Sequence, residues 1–386
     1  MNETQPQFGL NEDQRAIQDM ARRFADEELA PNAVAWDRDK FFPVETMRRA
    51  AALGMAGIYV REEFGGSEMG RLDSALIIEA LATGCPTIAA YISIHNMVAG
   101  MIDRFGTERQ QLQWLPDLTS MNVLASYCLT EPAAGSDAAA LQTAATHDGE
   151  GWRLNGVKQF ISGAGASGLY LVMARTGAAG PKGISAFLVE KDRPGLSFGA
   201  EERKMGWKAQ PTRQVIMDDV RLPAESLLGD EGGGFKIAMA GLDGGRLNIG
   251  ACSLGGAQSA LDMSVRYLSE RQAFGQTLNQ FQALQFRLAD MATALSAARI
   301  LLWQAASALD AKAHDATKQC AMAKLLATDT GFKVANEALQ LHGGYGYLSE
   351  YGIEKIVRDL RVHQILEGTN EIMRVIIARG LIGEQR

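Results

Sequence analysis

The chain has 386 residues, of which 47% are hydrophobic and 22% charged, and its formal net charge is −7. A chain of this length exceeds the usual size of one hydrophobic core, so we expect two or three packed domains. The acidic balance provides no general attraction to phosphate backbones or anionic lipid, which argues against nucleic-acid and membrane partners.

Cysteine usage and the start of the chain indicate the compartment. The four cysteines lie far apart and have neither C-x-x-C nor metal-ligand spacing, and the five histidines form no H-x-x-x-H pattern, so no metal site is predicted. Scattered thiols fit a reducing compartment. Residues 1–14 are polar and acidic, without the apolar core of a secretory signal. Glu79 and Pro86 interrupt the apolar run from 76 to 94, which excludes a membrane span there. We therefore expect a cytoplasmic protein.

The first part of the chain, residues 1–121, is predicted to be a helical domain. Asn11, preceded by Leu10 and followed by Gln14, is typical of a helix N-cap with a staple residue before it. Apolar residues then recur at helical spacing from Ile17 onward. Glycine and proline separate the later helical patterns, which cover 44–53, 72–81 and 91–105.

The pattern changes near Met121, and residues 122–231 contain short β-prone apolar runs joined by glycine and proline. The dipeptide Asn155-Gly156 is typical of a two-residue hairpin turn. We expect a β domain of about a hundred residues here, a small sandwich or barrel. The apolar runs cover 123–130, 169–173, 184–189 and 214–217.

Long helical patterns return in residues 232–386, rich in Ala, Leu and Met, with glycines placed at the predicted joints. Helical regions on both sides of a β region indicate an α+β multidomain fold. The patterns cover 235–241, 249–271, 281–311 and 317–341, and Thr369 begins another.

One stretch, residues 340–374, carries a candidate for acid–base chemistry: QLHGGYGYLSEYGIEKIVRDLRVHQILEGTNEIMR. Glu367 follows the apolar pair Ile365-Leu366 and precedes Gly368. A carboxylate between apolar neighbours loses hydration and its pKa rises, which suits a base near neutral pH. Taken alone, however, the motif fits an acid favoured at a helix start better.

HGGYGY, a basic segment and ILEGTNEIMR together resemble the C-terminal signature of the acyl-CoA dehydrogenases, flavoproteins that oxidise acyl-CoA thioesters. The resemblance spans essentially the whole chain. It implies an N-terminal all-α domain, a middle β-sandwich or barrel domain and a C-terminal four-helix-bundle domain. It further implies that Glu367 removes the α-proton, that FAD takes the β-hydrogen as hydride, that an electron-transferring flavoprotein accepts the electrons, and that the protein is a homotetramer.

Further segments are similar to the flavin site of this family. YCLTEPAAGSD, from Tyr127, is a strand entering a turn with hydroxyls and free N–H groups, although an ordinary surface turn explains it too. KQFIS, from Lys158, offers a ring and a hydroxyl two residues apart; a plain hairpin core residue is the alternative. Arg271 of ERQAFG can clamp a pyrophosphate or be a solvated cation. The Gly343-Gly344 pair is usually a helix C-cap and lacks the G-x-G-x-x-G pattern. The FAD-binding residues that the resemblance implies are Tyr127, Leu129, Thr130, Gly135, Ser136, Phe160, Ile161, Ser162, Arg271, Phe274, Phe281, Gln282, Gln340, Leu341, Gly343, Gly344, Thr369 and Glu371.

The segment LDGGR, ending at Arg246, differs informatively within the family. Isovaleryl-type and long-chain members place their base immediately before this arginine, where this chain has Gly245, which cannot accept a proton. Of the two positions at which the family carries its base, 367 is therefore the one that holds a candidate base in this chain. Leu366 replaces the tyrosine frequent in medium-chain members, which implies a differently shaped acyl pocket. The substrate-binding residues implied are Ser136, Tyr91, Asp243, Arg246, Gly368 and Arg379.

The resemblance, which the differently shaped pocket at Leu366 fits, implies a short branched acyl-CoA such as isobutyryl-CoA as the substrate. A 2-methylbutyryl or straight short chain is the alternative substrate. A flavin monooxygenase or oxidase on the same fold, and a non-catalytic flavoprotein, are the alternative functions. The EGT glutamate and the chain length count against the oxidase, and a preparation that no acyl-CoA bleaches would indicate the non-catalytic protein.

Overall fold

The structure, a computed structural model, describes residues 9–383. Helical regions flank a region of β-sheet, and this confirms the predicted α+β arrangement. The first eight residues, which contributed to the expectation that no secretory signal is present, lie outside the described residues. Within the described range, no helix combines the length and the apolar character needed to cross a membrane.

The N-terminal region is built from helices, and its first helix begins as predicted. The backbone N–H of Gln14 donates to Asn11 Oδ1 at 2.8 Å, and the N–H of Asn11 donates to Gln14 Oε1 at 3.2 Å, a reciprocal capping box. The helices are α1 (Glu12–Phe24), α2 (Ala33–Asp39), α3 (Val44–Ala51), α4 (Arg71–Gly84), α5 (Pro86–Phe105) and α6 (Glu108–Thr119).

The middle region is one connected sheet. Its strands are β1 (Ala125–Cys128), β2 (Ala144–His147), β3 (Gly151–Ser162), β4 (Leu169–Arg175), β5 (Ile184–Glu190), β6 (Leu196–Phe198), β7 (Thr212–Pro223) and β8 (Leu227–Leu228). Their order across the sheet is β6-β7-β3-β2-β4-β5-β8, and β1 pairs parallel to β4. Alternate side chains of β4 enter different cores: Leu171 packs toward the helices and Val172 toward the opposite face.

The predicted hairpin turn at Asn155-Gly156 is wrong, because both residues lie inside the single strand β3. The pairing of β3 with β7 shifts register at this point. The Asn155 side chain accepts a hydrogen bond from the backbone N–H of Asp219 at 2.9 Å. A β-carbon added to Gly156 would lie 2.5 Å from Thr143 Oγ1, so the glycine permits a close approach of strands instead of a turn.

The C-terminal region consists of long helices, two of them joined by a short hairpin. Helix α7 runs for 37 residues without a break, so the predicted joint between 241 and 249 is wrong. Its glycines serve packing: a β-carbon on Gly255 would lie 2.1 Å from the carbonyl oxygen of Glu79 in α4. The elements are α7 (Gly234–Glu270), β9 (Gln272–Ala273), β10 (Gln276–Thr277), α8 (Gln282–Asp310), α9 (Ala316–Leu341), α10 (Ile353–Arg361) and α11 (Asn370–Gly383).

One hydrophobic core joins the two helical regions, and α7 contributes to it along much of its length. The first helical region ends at Thr119 and the first strand begins at Ala125, while the last strand of the main sheet ends at Leu228 and α7 begins at Gly234. The predicted boundaries at 121 and 231 fall in these connections and stay predictions. The four cysteines are buried and free.

Candidate active site

The turn between α10 and α11 carries Glu367 in an unusual backbone conformation. Glu367 has φ 55° and Gly368 has φ 86°, so two successive residues lie in the left-handed region. A non-glycine residue there is strained and persists only where its surroundings hold it. Thr369 Oγ1 accepts a hydrogen bond from the N–H of Ile372 at 3.3 Å, so this threonine also caps α11.

The carboxylate of Glu367 points into the protein. The residue as a whole is half-buried, but its Oε2 atom is covered and has no hydrogen-bond partner in the described part of the chain. Burial raises the pKa of Glu367 to about 7, and the positive charges of Arg246 and Lys324 oppose the rise without cancelling it. The carboxylate is therefore desolvated, but not by the apolar pair named in the sequence, because Ile365 is 51% exposed and Leu366 only half-buried. A pKa near 7 leaves a substantial anionic fraction at neutral pH.

Tyr127, at the third position of β1, shares this interior with Glu367. Its hydroxyl is buried and has no hydrogen-bond partner among residues 9–383. Burial raises the pKa of Tyr127 well above its ordinary value, and the nearby charge of Glu367 raises it further. Buried polar atoms in proteins are nearly always paired, so two unpaired ones that are coupled in charge mark a place where a polar ligand belongs.

Arg246 and Asp243 form an ion pair on α7 close to this carboxylate. Arg246 is 5% exposed, and one terminal nitrogen donates to Asp243 Oδ1 at 2.6 Å. The other Asp243 oxygen accepts from the Thr317 hydroxyl at 2.7 Å. Both oxygens of Asp243 are therefore engaged by the protein, and its role toward substrate stays a prediction. The Nε atom of Arg246 is buried without a partner in the described chain.

Lys324 of α9 was not anticipated as a site residue. It is fully buried, and its ammonium group donates to the Gly368 carbonyl and to Asn370 Oδ1, each at 2.8 Å. Burial lowers the pKa of Lys324 to about 8, while the charge of Glu367 opposes that shift. A sequence signal exists: Lys324 lies four residues after Cys320, so helical spacing places a charged residue on a buried, otherwise apolar stripe.

The two segments predicted to contact the flavin lie next to each other. The N–H of Gln159 donates to the Thr130 carbonyl at 2.8 Å, and the buried ammonium of Lys158 contacts Glu131 Oε1 at 2.7 Å. Phe160 has φ 59° and is 64% exposed, so a strained strand position presents an aromatic ring outward. Such a ring offers an apolar face to a planar ligand.

The Gly343-Gly344 turn presents bare backbone to open space. A β-carbon added at either glycine would meet no atom within 4 Å, and Gly343 has φ 59°. Gln340 is exposed just before the turn, whereas Leu341 is buried. This turn can receive a ligand against its backbone, and it begins a short 3₁₀ segment that ends at Tyr347.

The predicted pyrophosphate clamp lies beside this turn. The Arg271 guanidinium sits over the ring of Tyr345, with 5.4 Å between its central carbon and the ring centroid. Phe274 is 95% exposed, and its ring contacts that of Phe281 edge-on at 6.2 Å between centroids. Gln282 is exposed at the start of α8. These groups face outward from the chain.

The remaining predicted residues are spread over several elements of the structure. Tyr91 is fully buried, and its hydroxyl donates to the Ala125 carbonyl at 3.2 Å, so it ties α5 to β1. Gly135 and Ser136 are exposed on the loop after β1, and Glu371 and Arg379 are exposed on α11. The others on the strand segments are half-buried or buried, namely Leu129, Ile161 and Ser162.

The chemistry of these residues fits an FAD. The open glycine turn, the exposed Phe160 ring and the unpaired Tyr127 hydroxyl provide backbone donors, an aromatic face and a polar contact. The buried carboxylate of Glu367, whose Oε2 has no hydrogen-bond partner in the described chain, acts electrostatically on the Tyr127 hydroxyl. The arrangement can therefore hold a planar polar cofactor next to a base.

Comparisons with known proteins bear on the same question. Family models match three consecutive parts of the chain: "Acyl-CoA dehydrogenase, N-terminal domain" at residues 11–122, "Acyl-CoA dehydrogenase, middle domain" at 126–220, and "Acyl-CoA dehydrogenase, C-terminal domain" at 232–382. Together these matches cover most of the chain.

Individual relatives are similar over nearly their whole length. A mitochondrial isobutyryl-CoA dehydrogenase of Dictyostelium discoideum is 57% identical over 377 residues, covering 97% of this chain and 91% of that protein. The Bos taurus protein of the same description is 52% identical over 379 residues, covering 98% and 91%. The solved structure of butyryl-CoA dehydrogenase from Megasphaera elsdenii is 38% identical, with a TM-score of 0.94 over 97% of this chain and 99% of that one.

Proposed function

The chain belongs to the acyl-CoA dehydrogenase family of FAD-dependent oxidoreductases, and on that premise we propose that it oxidises isobutyryl-CoA to methacrylyl-CoA with Glu367 as the base. Acyl-CoA dehydrogenation follows from the family. The isobutyryl substrate is supported by the identity to two isobutyryl-CoA dehydrogenases. The base is supported by one observation above all, namely the buried, unpaired carboxylate of Glu367 with a pKa of about 7.

Glu367 acts on the α-carbon of the thioester. The α C–H bond breaks, its proton joins a carboxylate oxygen, and its electron pair remains on the substrate. A pKa near 7 makes this carboxylate a stronger base than an exposed glutamate, while leaving it substantially ionised at neutral pH. No described protein donor hydrogen-bonds to Oε2, so no protein proton competes with the substrate's proton at that oxygen.

The developing negative charge on the thioester oxygen needs hydrogen-bond donors, since an unaided carboxylate is far too weak a base for this proton. We assign one donor to the backbone N–H of Glu367, which the left-handed turn orients. FAD, when bound, accepts the β-hydrogen together with its electron pair. Tyr127, Thr130, Ser162 and the backbone of the glycine turn at 343–344 would hold it.

Leu366 is the residue to which we attribute part of the acyl specificity. It is half-buried and packs against the main helical core directly beside Glu367. An aliphatic side chain at this position lines the reaction site without a hydroxyl, which suits a short branched acyl group. A 2-methylbutyryl or straight short acyl chain is the competing substrate.

We further propose a homotetramer that passes its electrons to an electron-transferring flavoprotein, as family membership suggests. The aromatic side chains of Phe274 and Tyr347, at 95% and 84% exposure, are available for such subunit contacts. The free buried thiols fit a reducing compartment, in the simplest case the cytoplasm. Light scattering during gel filtration and a flavoprotein-coupled assay test the first two points.

The base assignment is tested by Glu367→Gln under anaerobic mixing with isobutyryl-CoA. The variant should purify yellow, with bound FAD, but bleach slower than wild type by at least about 10²–10⁴-fold, the usual contribution of a general base. Glu350→Gln, which alters an exposed glutamate, is the matched control and should bleach normally. Bleaching of Glu367→Gln at the wild-type rate would refute the assignment.

The substrate is tested separately, by comparing isobutyryl-, 2-methylbutyryl-, butyryl- and octanoyl-CoA in a dye-coupled assay. We expect the highest kcat/KM with isobutyryl-CoA. A clear preference for octanoyl-CoA would rule out a short branched substrate while leaving the role of Glu367 intact. A yellow protein that none of the four thioesters bleaches would indicate a non-catalytic flavoprotein.

A further inference from the structure

We propose that Lys324 is a positioning residue for the reaction: from α9 it holds the left-handed turn of Glu367 and Gly368 so that the base reaches its substrate. The inference rests on the proposed role of Glu367. Lys324 belongs neither to the residues predicted to bind FAD nor to those predicted to bind the thioester. Its assignment follows from the contacts of one buried ammonium group.

The ammonium group of Lys324 binds the segment immediately after the base. It donates to the carbonyl of Gly368 and to the side-chain oxygen of Asn370, at 2.8 Å in both cases. Both acceptors are neutral, so neither contact is an ion pair. A buried charge without a directly bonded counterion is costly. Its presence here therefore calls for a role beyond packing, and the carboxylate that acts on it most strongly is Glu367.

Asn370 extends this attachment into a closed network. Its side-chain nitrogen donates to the Thr328 hydroxyl at 3.0 Å and to Asp329 Oδ1 at 2.7 Å. The Thr328 hydroxyl in turn donates to the backbone carbonyl of Lys324 at 2.8 Å. The first residue of α11 is thus fastened at several points to slightly more than one turn of α9, and the left-handed turn lies directly before it.

The turn needs such fastening because its conformation is unfavourable by itself. A non-glycine residue in the left-handed region costs on the order of 1–3 kcal/mol, and surrounding contacts must hold it there. Glu367 has φ 55° and carries the reacting carboxylate. If Gly368 were released, the backbone of Glu367 could relax and its carboxylate would move. A displacement of about 1 Å at a reacting group can cost about 10²-fold in rate.

Three elements direct ionisable groups at the carboxylate: Arg246 from α7, Lys324 from α9 and Tyr127 from β1. The charges of Asp329, Glu371 and Arg246 also act on Lys324. Burial and the charge of Lys324 together lower the pKa of the buried His363, so this imidazole also faces the ammonium group. Both cations favour the ionised base against the cost of its burial. Replacing Lys324 by an uncharged residue thus has two separable consequences, a looser turn and a base that ionises at higher pH.

The decisive variants are Lys324→Met, which removes the charge and both hydrogen bonds, and Asn370→Ala, which loosens the turn but leaves the charge. For Lys324→Met we expect kcat to fall at least about tenfold, KM to change little, and the acid limb of the pH profile of kcat/KM to move up by about one pH unit. For Asn370→Ala we expect the fall in kcat without the move of the acid limb.

Lys204→Met is the matched control. Lys204 is also a largely covered lysine, it donates to a backbone carbonyl and a side-chain oxygen, those of Gln210 and Thr212, and burial likewise lowers its pKa to about 8. The charges that act on it do not include Glu367. Its variant should share any general loss of thermal stability but keep the wild-type kcat and acid limb.

A readout without turnover accompanies the kinetics. The infrared carbonyl band of protonated Glu367, identified as the band that Glu367→Gln removes, is titrated in each variant; in Lys324→Met it should persist to higher pH. An unmoved titration and acid limb in folded Lys324→Met, or wild-type kcat in Asn370→Ala, would overturn the inference. Full activity of Glu367→Gln would instead defeat the proposed function itself, so the two failures are distinguishable.

Discussion

A β-carbon placed on Gly245 would lie 2.5 Å from Oε2 of Glu367 and 2.9 Å from its Cδ. Helix α7 therefore approaches the carboxylate with bare backbone, and the space that a side chain would need there is filled by Glu367. The resemblance to the family places the base of isovaleryl-type and long-chain members at this same position. A side chain at 245 and the carboxylate of Glu367 therefore exclude each other in their present places.

Gly245→Ala should fold but lose activity. Alanine is favoured over glycine within a helix by up to about 1 kcal/mol, and the atoms it meets are the end of a flexible side chain. The carboxylate must nevertheless move, so we expect kcat to fall by about 10²-fold. Stopped-flow bleaching and thermal unfolding measure the two effects.

Gly244→Ala is the control for that experiment. Its β-carbon would meet a different flexible side chain, that of Arg71, at 2.3 Å. In both variants a new methyl group on α7 meets the end of a flexible side chain, but in Gly244→Ala the displaced side chain is not that of Glu367. Equal losses of kcat in the two variants would show that crowding of α7 in general, and not displacement of Glu367, is responsible.

The activity should depend on pH through the base. Because the pKa of Glu367 is raised to about 7, the ionised base forms as pH rises through that value. Below it, kcat/KM should fall about tenfold per pH unit, as for a single titrating group. A profile that stays flat down to pH 5 would mean that the carboxylate is solvated and has an ordinary pKa.

Glu367 should also make the stability of the protein depend on pH. The folded protein holds the proton of Glu367 more tightly than the unfolded chain does, because burial raises its pKa from 4.5 to about 7. Its stabilising contribution is therefore complete below about 4.5 and is lost as pH rises through 7. Glutamine does not ionise, so this loss is absent in Glu367→Gln. Between pH 5 and 8 the free energy of unfolding of the variant should therefore rise relative to that of wild type, by at most about 3 kcal/mol. Thermal unfolding of the FAD-loaded proteins across this range measures the difference, and a difference that is constant with pH would contradict it.

We expect the buried ion pair of Lys158 and Glu131 to stabilise the fold next to the segments that are predicted to contact the flavin. Their charged atoms are 2.7 Å apart and buried, and Lys158 also donates to the Leu129 carbonyl at 3.1 Å. Lys158→Met leaves Glu131 buried without its cation, which costs about 3 kcal/mol or more. We expect a lower midpoint of thermal unfolding and weaker FAD retention. The double variant Lys158→Met/Glu131→Gln should recover part of the loss, and no recovery would mean that the charge left on Glu131 is not the cause.

The sequence allowed some residues of this site to be predicted but not others. The segment carrying Glu367 and the family it resembles were recognisable, since a short motif contained both. The capping box of Asn11 and Gln14 was predictable for a similar reason, because a cap joins residues three apart. Lys324 was overlooked, although a lysine on a buried helical stripe was visible, because the residues it binds lie more than forty positions further along the chain.

The helical periods, the strand-rich middle region and the motif around Glu367 were determined by the sequence itself, since these depend on neighbours within a few residues. Tertiary structure decided the continuity of α7 through its glycines, the path of β3 through Asn155-Gly156, and the dry surroundings of the carboxylate. Each of these depends on what a distant segment places against the backbone: a glycine is a joint where nothing packs on it and a contact point where another element does. Local residue preference cannot distinguish the two, because the deciding atoms belong to residues far away in the chain.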